Sequence, residues 1–564
     1  MINRNKIHRG VISQFLKLAI FGVLLFVFSM SVSAQLSLGG TPLKSQSLSE
    51  PEWINLEQVR VDELLLEDKW LSLTGKKNHR IAKELQVSIS PEQQGNWEQL
   101  RDGTLIWRIG IRGRGARGLG LVFSRYVLAE GTRLYIYDPS GENVLGAYTN
   151  RNNKVSGYLP VSYLPGDEMI IQLEVPQKTE NYGELHIGSV RQAYLPVFEE
   201  KSVDDKYFGT SGDCNVDINC TLGDDWQLVK NSVVRMISTE KCTGVLINNV
   251  RQDDKAYVYT AAHCVFQSNK LQPIVFYFNY ESPTCDGPDG SVSNSISLAT
   301  LVATGDTLEN PRDADSLDFA LLELSVAPPD SFLPYFAGWN RSPTPAQHTT
   351  TIHHPSGDVK KIALDLDPPE VSYHDPDYFE DLIRGSHWRI MEWDTATTEF
   401  GSSGCPLFNE DQLVVGTLTG GQATCSFQEN DYFTRLDYAW DYYPDSTKQL
   451  KCWLDPDDTG VMSLAGKVGD SVVDNVSISR APEIESLSLY PNPANQLVTV
   501  RAGLESHRET HISIYHITGK LIMHKSISWE DKTTLDVSEL QAGFYVFRLS
   551  QDNRFATSRL VISR

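Results

Sequence analysis

A histidine, an aspartate and a serine stand in this chain among neighbours that could make them reactive. They are His263 in Thr-Ala-Ala-His-Cys (260–264), Asp318 in Leu-Asp-Phe-Ala-Leu-Leu-Glu-Leu (317–324) and Ser403 in Gly-Ser-Ser-Gly-Cys-Pro (401–406). Opening an amide near neutral pH requires a hydroxyl, an imidazole to take its proton and a carboxylate to orient that imidazole. The three motifs supply one of each. Gly401 and Gly404 permit a sharp turn at which the N–H groups of Gly401 and Ser403 converge on one point, as an oxyanion hole needs. The apolar run after Asp318 buries that carboxylate, where it can fix the tautomer of His263 without itself being protonated. Taken singly, each motif has a plain structural alternative: a histidine ending a strand, a buried strand, a Gly-Ser linker. Their occurrence together, with Gly420 and Gly421 downstream, favours the chemical reading.

The elements that must hold these residues are read as strands. From Trp107 to Val175 apolar and polar residues alternate in short runs broken by Asp-Pro-Ser-Gly and Pro-Gly-Asp, which predicts antiparallel strands in a sandwich. The last eighty residues repeat that pattern and predict a second, smaller β-sandwich. At 564 residues the chain requires several folding units. The first 34 residues carry Arg4, Lys6 and Arg9, an apolar run from Leu18 to Met30, and Val32-Ser33-Ala34. This is the pattern of a cleaved secretory signal, because the run is shorter than the roughly 20 residues that cross a bilayer. A formal charge of -22 argues against nucleic acid as a partner. All eight cysteines lie between 214 and 452. Their even number in an exported chain favours disulfides, and no Cys-x-x-Cys pair suggests zinc. No metal or other cofactor is expected, and His353, His354, His374 and His387 are read as structural.

The tail resembles the C-terminal sorting domain of proteins exported by the type IX system of Bacteroidetes-type bacteria, through Tyr490-Pro491-Asn492-Pro493, "IYHITGK", "LDVSELQAGFYVFRL" and the terminal "RLVISR". That resemblance implies passage through the periplasm and outer membrane, with the type IX machinery as partner, and release or attachment at the cell surface. An ordinary accessory domain is the alternative.

The order His, Asp, Ser is that of the chymotrypsin family. Residues 209–465 resemble its bacterial lysyl endopeptidase branch more closely, through "GTSGDCNVDINC", "CTGVLINN", "YFNYESPTC", "FAGWNR", "IHHPSGDVKKI", "GSSGCPLF" and "WLDPDDTG". The expected fold is all-β: a two-barrel chymotrypsin-like domain (209–465) after a signal (1–34) and a β-rich propeptide (35–208), then a linker (466–484) and the sorting domain (485–564). The resemblance implies disulfides Cys214–Cys425, Cys220–Cys285 and Cys242–Cys264. A fourth bond, Cys405–Cys452, is inferred from what remains, the alternative being two free thiols.

In that branch an aspartate in Asp-x-Tyr-x-Arg lies at the base of the primary pocket. Here the matching stretch is "DYFTR", which makes Asp431 the candidate, with Thr419, Gly420 and Gly421 as the neighbouring substrate-binding segment. A buried carboxylate selects a basic side chain because a substrate cation relieves its desolvation. An exposed aspartate is the alternative. The relatives carry a histidine before the Gly-Gly, stacked on a tryptophan; this chain has Thr419 there and offers only Tyr373 or Tyr378 for the aromatic. Ser402 stands where trypsin zymogens carry an aspartate that pairs with the freed amine, so activation is expected to follow removal of an inhibitory propeptide, with Lys206 as the cleavage candidate. The expectation is a secreted, monomeric serine endopeptidase acting on proteins or peptides after lysine or arginine. Its alternatives are an inactive surface-binding protein of the same fold and a protease of other specificity.

Overall fold

The computed structural model describes residues 39–44, 48–72, 79–197, 211–267, 270–271, 273–305, 317–373, 383–469, 487–504, 506–516, 521–530, 532–538, 540–541, 543–551 and 554–563. The signal segment, Lys206, His374 and Tyr378 lie outside them. No helix among the described residues is long and apolar enough to cross a membrane. The chain divides into two compact units, 1–472 and 473–564.

Unit one begins with a sandwich of a six-stranded and a four-stranded sheet. In Leu105–Arg112, Trp107, Ile109 and Ile111 enter the core while Arg108 and Arg112 face away, the period of two that a strand imposes. Its antiparallel partner Glu168–Val175 contributes Met169, Ile171, Leu173 and Val175 to the same core. In Gly118–Leu128 the core residues are Leu119, Leu121 and Phe123, then Tyr126 and Leu128. The phase slips by one at Ser124 because that residue is skipped in the pairing with Gly183–Ala193, where Phe123 faces Ile187 and Arg125 faces His186. An unpaired residue of this kind turns every later side chain to the other face.

Two larger sheets follow. The first runs Ser295–Ser297, Val275–Phe278, Val233–Ile237, Glu240–Ile247, Tyr257–Thr260, Ala320–Leu324, Ala299–Thr304. All eight residues of Glu240–Ile247 are buried. Cys242 and Leu246 point into the interior of this sheet, whereas Val245 and Ile247 join the core shared with the second sheet. The second sheet runs Val216–Asp217, Lys361–Asp365, Thr349–His353, Pro406–Phe408, Val414–Gly421, Glu429–Arg435, His387–Glu392, Glu370–Val371. Its interior holds Trp388, Ile390, Trp393, Leu407, Leu418 and Phe433. Trp339 and Trp440, 4.6 Å apart between ring centroids, belong to the core common to both sheets. This is the two-barrel arrangement of a chymotrypsin-like domain.

Unit two is a sandwich of a three-stranded and a four-stranded sheet. Val498, Val500 and Leu535 from one meet Ile512, Ile514, Phe547 and Leu549 from the other.

Candidate active site

Strand register brings His263 and Asp318 together across 55 residues of sequence. Tyr257–Thr260 pairs with Ala320–Leu324 so that Thr260 faces Ala320. The chain leaving the first strand and the chain entering the second therefore emerge side by side. His263 sits on the short turn Ala262–Cys264. Its backbone N–H donates to Asp318 Oδ1 (3.0 Å), and its Nδ1 lies 2.7 Å from Oδ2, both groups being buried. A carboxylate that grips backbone and ring of one residue sets the imidazole's orientation and, by taking Nδ1–H, leaves Nε2 as the ring's acceptor nitrogen.

Ser403 comes from the second sheet, just before Pro406–Phe408. Gly401 (φ +92°) and Gly404 (φ +78°) turn the chain as their sequence pattern required. Gly404 has a second reason to be glycine: a Cβ there would meet Thr260 Oγ1 at 2.0 Å and Ala261 N at 2.9 Å, on the chain leading to His263. The turn is thus pressed against the segment that carries His263. Thr243 N–H donates to the Ser403 carbonyl (2.9 Å), and the Cys242–Cys264 disulfide fastens Thr243's neighbour beside His263. His263 Nε2 and Ser403 Oγ are buried, and neither has a hydrogen-bond partner among the described residues. Such a pair commonly closes only in the substrate complex.

Within the turn, Ser402 N–H donates to Glu399 O (3.0 Å), Gly404 N–H to Leu418 O (2.8 Å) and Cys405 N–H to Ser402 O (2.9 Å). The N–H groups of Gly401 and Ser403 have no such partner among the described residues. Ser402 is buried; its Oγ accepts from Glu399 N–H (3.1 Å) and lies 2.7 Å from His353 Nδ1. Where trypsin zymogens await an amine, this turn is already braced from within. Glu399 extends the brace: Gly212 N–H and Asn215 Nδ2 donate to its Oε1 (2.9 and 3.0 Å), and Ser356 Oγ donates to its Oε2 (3.1 Å).

Asp431 is fully buried in Glu429–Arg435, so it is not the exposed aspartate of the alternative reading. Its Oδ2 accepts from Trp393 Nε1 (2.8 Å) and from Thr398 Oγ1 (2.5 Å), both neutral donors. Gly421 faces it in the strand pairing, and a Cβ on Gly421 would come within 2.3 Å of Asp431 Oδ1. A side chain at position 421 would therefore collide with that carboxylate. Trp393, Thr398 and Glu399 did not stand out in the sequence. The available signal was that Trp393 and Thr398 lie in the short polar stretch leading into "GSSG".

Thr419 turns its hydroxyl into the barrel, 3.2 Å from His387 Nε2 and 2.9 Å from Thr434 Oγ1. Thr434 Oγ1 in turn donates to the backbone carbonyl of Asp318 (3.3 Å). His387 thus lies behind Asp318 on the second sheet, and burial lowers its pKa to about 4, keeping it neutral. Tyr373, one of the two aromatic candidates, is exposed. His353 and His354 are buried, and His354 Nδ1 pairs with Asp358 O (2.9 Å); burial holds its pKa well below the usual range.

The three disulfides join the expected partners, Cys214–Cys425, Cys220–Cys285 and Cys242–Cys264. The fourth does not form. Cys405 is buried in the interior of the second barrel, with Thr351 Oγ1 at 3.1 Å from its sulfur, while Cys452 is exposed on Lys451–Leu454. An even count of cysteines carries no information on whether two of them come within bonding reach.

Residues 208–434 match the family described as "Lysyl endopeptidase, C-terminal domain", and residues 488–563 match "Secretion system C-terminal sorting domain". A lysyl endopeptidase of Pseudomonas aeruginosa is 28% identical over 290 residues, covering 48% of this chain; the chain spans 59% of the length of that relative. Among solved structures, a Glu endopeptidase is 14% identical (36% of this chain, 85% of that one, TM-score 0.27). Neuropsin, a serine protease expressed in the limbic system of mouse brain, is 19% identical (37% and 91%, TM-score 0.28). The chain therefore carries a lysyl-endopeptidase-type C-terminal domain followed by a secretion-system sorting domain.

Proposed function

We propose that this chain is the precursor of an exported serine endopeptidase that cleaves after basic residues, lysine foremost. Ser403 Oγ attacks the scissile carbonyl carbon while His263 Nε2 takes its proton. Asp318, held on Nδ1–H and on the backbone N–H, stabilises the imidazolium that results. Negative charge that develops on the carbonyl oxygen is received by the N–H groups of Gly401 and Ser403. Collapse of the tetrahedral adduct passes the proton from Nε2 to the departing amine and leaves an acyl-enzyme on Ser403. Water, deprotonated by the same imidazole, then releases the acid. Asp431 lies at the bottom of the pocket that takes the side chain preceding the cut; there an ammonium would find a desolvated carboxylate.

The observation that carries this reading is the two-point grip of Asp318 on His263 beside a glycine-framed turn bearing Ser403. The sorting tail supports export to the cell surface or beyond. The test is incubation of the processed protein with an unfolded protein, Ser403→Ala alongside, and identification of the cut bonds by mass spectrometry. Cuts after lysine that vanish in the variant are expected. Equal results from the two proteins would overturn the reading.

A further inference from the structure

The N-terminal sandwich is seated on the first barrel. Ile81, Ala82, Tyr163, Ala193 and Val197 share one buried cluster with Ile237, Val275, Tyr277, Tyr280 and Val359. Tyr163 OH donates to Ser238 O (2.7 Å), Arg191 Nη2 to Pro273 O (2.5 Å) and Arg235 Nη2 to Val197 O (2.6 Å). At the margin of this contact the strand His79–Arg80 adds itself, antiparallel, to Glu240–Ile247, with Arg80 facing Glu240 and His79 facing Lys241. Ile81 and Ala82 continue the contact, their N–H groups donating to Thr239 O (2.8 and 3.2 Å).

The place where it adds is what matters. Glu240–Ile247 is covered on one side by Val233–Ile237, and on the other by Tyr257–Thr260 only from Val245 onward. Its first residues therefore form a sheet edge that the barrel domain leaves to His79–Arg80. Lys241 is two residues, about 7 Å of strand, from Thr243, whose N–H holds the Ser403 carbonyl. The Lys241 Nζ also donates to Ser356 O (3.1 Å), and its stem lies against Gly357, which packs on Gly401. Because the pairing is antiparallel, the N-terminal end of His79–Arg80 points along this strand toward Ser403. A peptide lying so has its residues C-terminal to the cut on this edge. This is the side of the leaving amine.

The strand is fixed from behind. The Arg80 guanidinium donates to Asp68 (2.7 Å), Glu67 (3.0 Å), Leu64 O (3.1 Å) and Tyr194 OH (3.2 Å), three of these partners belonging to the helix Val61–Ser72. An edge strand braced by its own domain and laid along a sheet edge is the mode by which peptides dock by strand addition.

We propose that His79–Arg80 is a built-in occupant of the leaving-group side of the cleft, by which the N-terminal domain inhibits the protease domain in cis. The inference rests on the reading of Ser403 as nucleophile. Substrates must displace the strand before their own residues beyond the cut can pair with Glu240–Lys241, and loss of the N-terminal domain opens the edge.

The test uses freshly isolated full-length chain and initial rates. Two reactions are compared: labelling of Ser403 by a small fluorophosphonate, which has nothing beyond the reacting atom on the leaving-group side, and cleavage of a lysine peptide extending several residues past the cut. The precursor is expected to label at a rate close to that of the processed enzyme but to cleave the peptide at least tenfold more slowly. His79→Pro, which removes a backbone donor facing Lys241, and Arg80→Ala, which removes the brace, are expected to recover most of the peptide rate with labelling unchanged. Unchanged labelling also shows that the variants are folded. Equal peptide rates for precursor and processed enzyme, or variants that label normally and stay suppressed, would overturn the strand's role. A processed enzyme that neither labels nor cleaves would instead overturn the reading of Ser403.

Discussion

Asp318 holds His263 at two points, Oδ1 on the backbone N–H at 3.0 Å and Oδ2 at Nδ1 at 2.7 Å. The backbone contact fixes the carboxylate, and the Nδ1 contact to that fixed carboxylate sets the ring plane and the tautomer. Asp318→Asn keeps the shape and loses the charge, and its amide offers a donor where an acceptor is needed. A fall in kcat of about 10⁴-fold with little change in KM is expected, by analogy with the same substitution in proteases that have a His-Asp-Ser triad. Steady-state kinetics on a lysine peptide check it, and a loss confined to KM would argue that Asp318 is merely structural.

How far this could be read from sequence depends on the range of the interactions. His263, Asp318 and Ser403 announce themselves because each sits in a local motif whose glycines, alanines or apolar neighbours carry the reason for its conformation. Their meeting depends on the pairing of Thr260 with Ala320 and of Gly404 against Thr260, which no local pattern encodes. The brace of Ser402 by His353 and the hydrogen bonds to Asp431 from Trp393 and Thr398 join residues 33 to 49 positions apart. Composition can mark such residues as polar, but only the fold shows them buried together. The fourth disulfide failed for the same reason: pairing Cys405 with Cys452 counted residues and ignored distance.

Asp431 is the specificity prediction. Its carboxylate is buried and its Oδ2 accepts from Trp393 and Thr398, so a substrate ammonium would meet a desolvated carboxylate. Asp431→Asn retains a hydrogen-bonding group without the charge. The expected loss is on the order of 10²- to 10³-fold in kcat/KM for lysine peptides, the scale of removing one partner of a buried charge pair. Activity toward a peptide with an apolar residue at the same position is expected to hold or rise. A uniform loss across both peptides would mean that the substitution disturbs the barrel and not the recognition.

The two thiols differ in accessibility. Alkylation of the native protein without reductant is expected to modify Cys452 alone, and alkylation after unfolding to modify Cys452 and Cys405, with six cysteines remaining in disulfides. Peptide mapping counts them. Cys405 beside Thr351 fills space inside the second barrel, so Cys405→Ala is expected to cost about 1–2 kcal/mol of stability without abolishing the reaction. Protection of both thiols in the unfolded chain would restore the fourth disulfide.

The pH dependence of stability follows from His387. Burial lowers its pKa from 6.5 to about 4, Arg435 acting in the same direction and Asp318 against it. The native state therefore refuses a proton that the unfolded chain accepts. The stability that neutral His387 contributes is complete above pH 6.5 and declines as pH falls toward about 4, by up to about 3 kcal/mol. His354, also held neutral by burial, adds a loss of the same sign. The contribution of His387 is isolated by comparing Ser403→Ala, which prevents self-digestion, with Ser403→Ala/His387→Gln. At pH 7.5 the double variant is expected to be the less stable in urea, because the introduced glutamine cannot reproduce the imidazole's contacts with Thr419, Thr434 and Ser386. At pH 5 the gap is expected to shrink or reverse, since glutamine has no proton to exclude. A gap independent of pH would mean that His387 titrates alike in the folded and unfolded chain, and that its burial behind Asp318 does not hold it neutral.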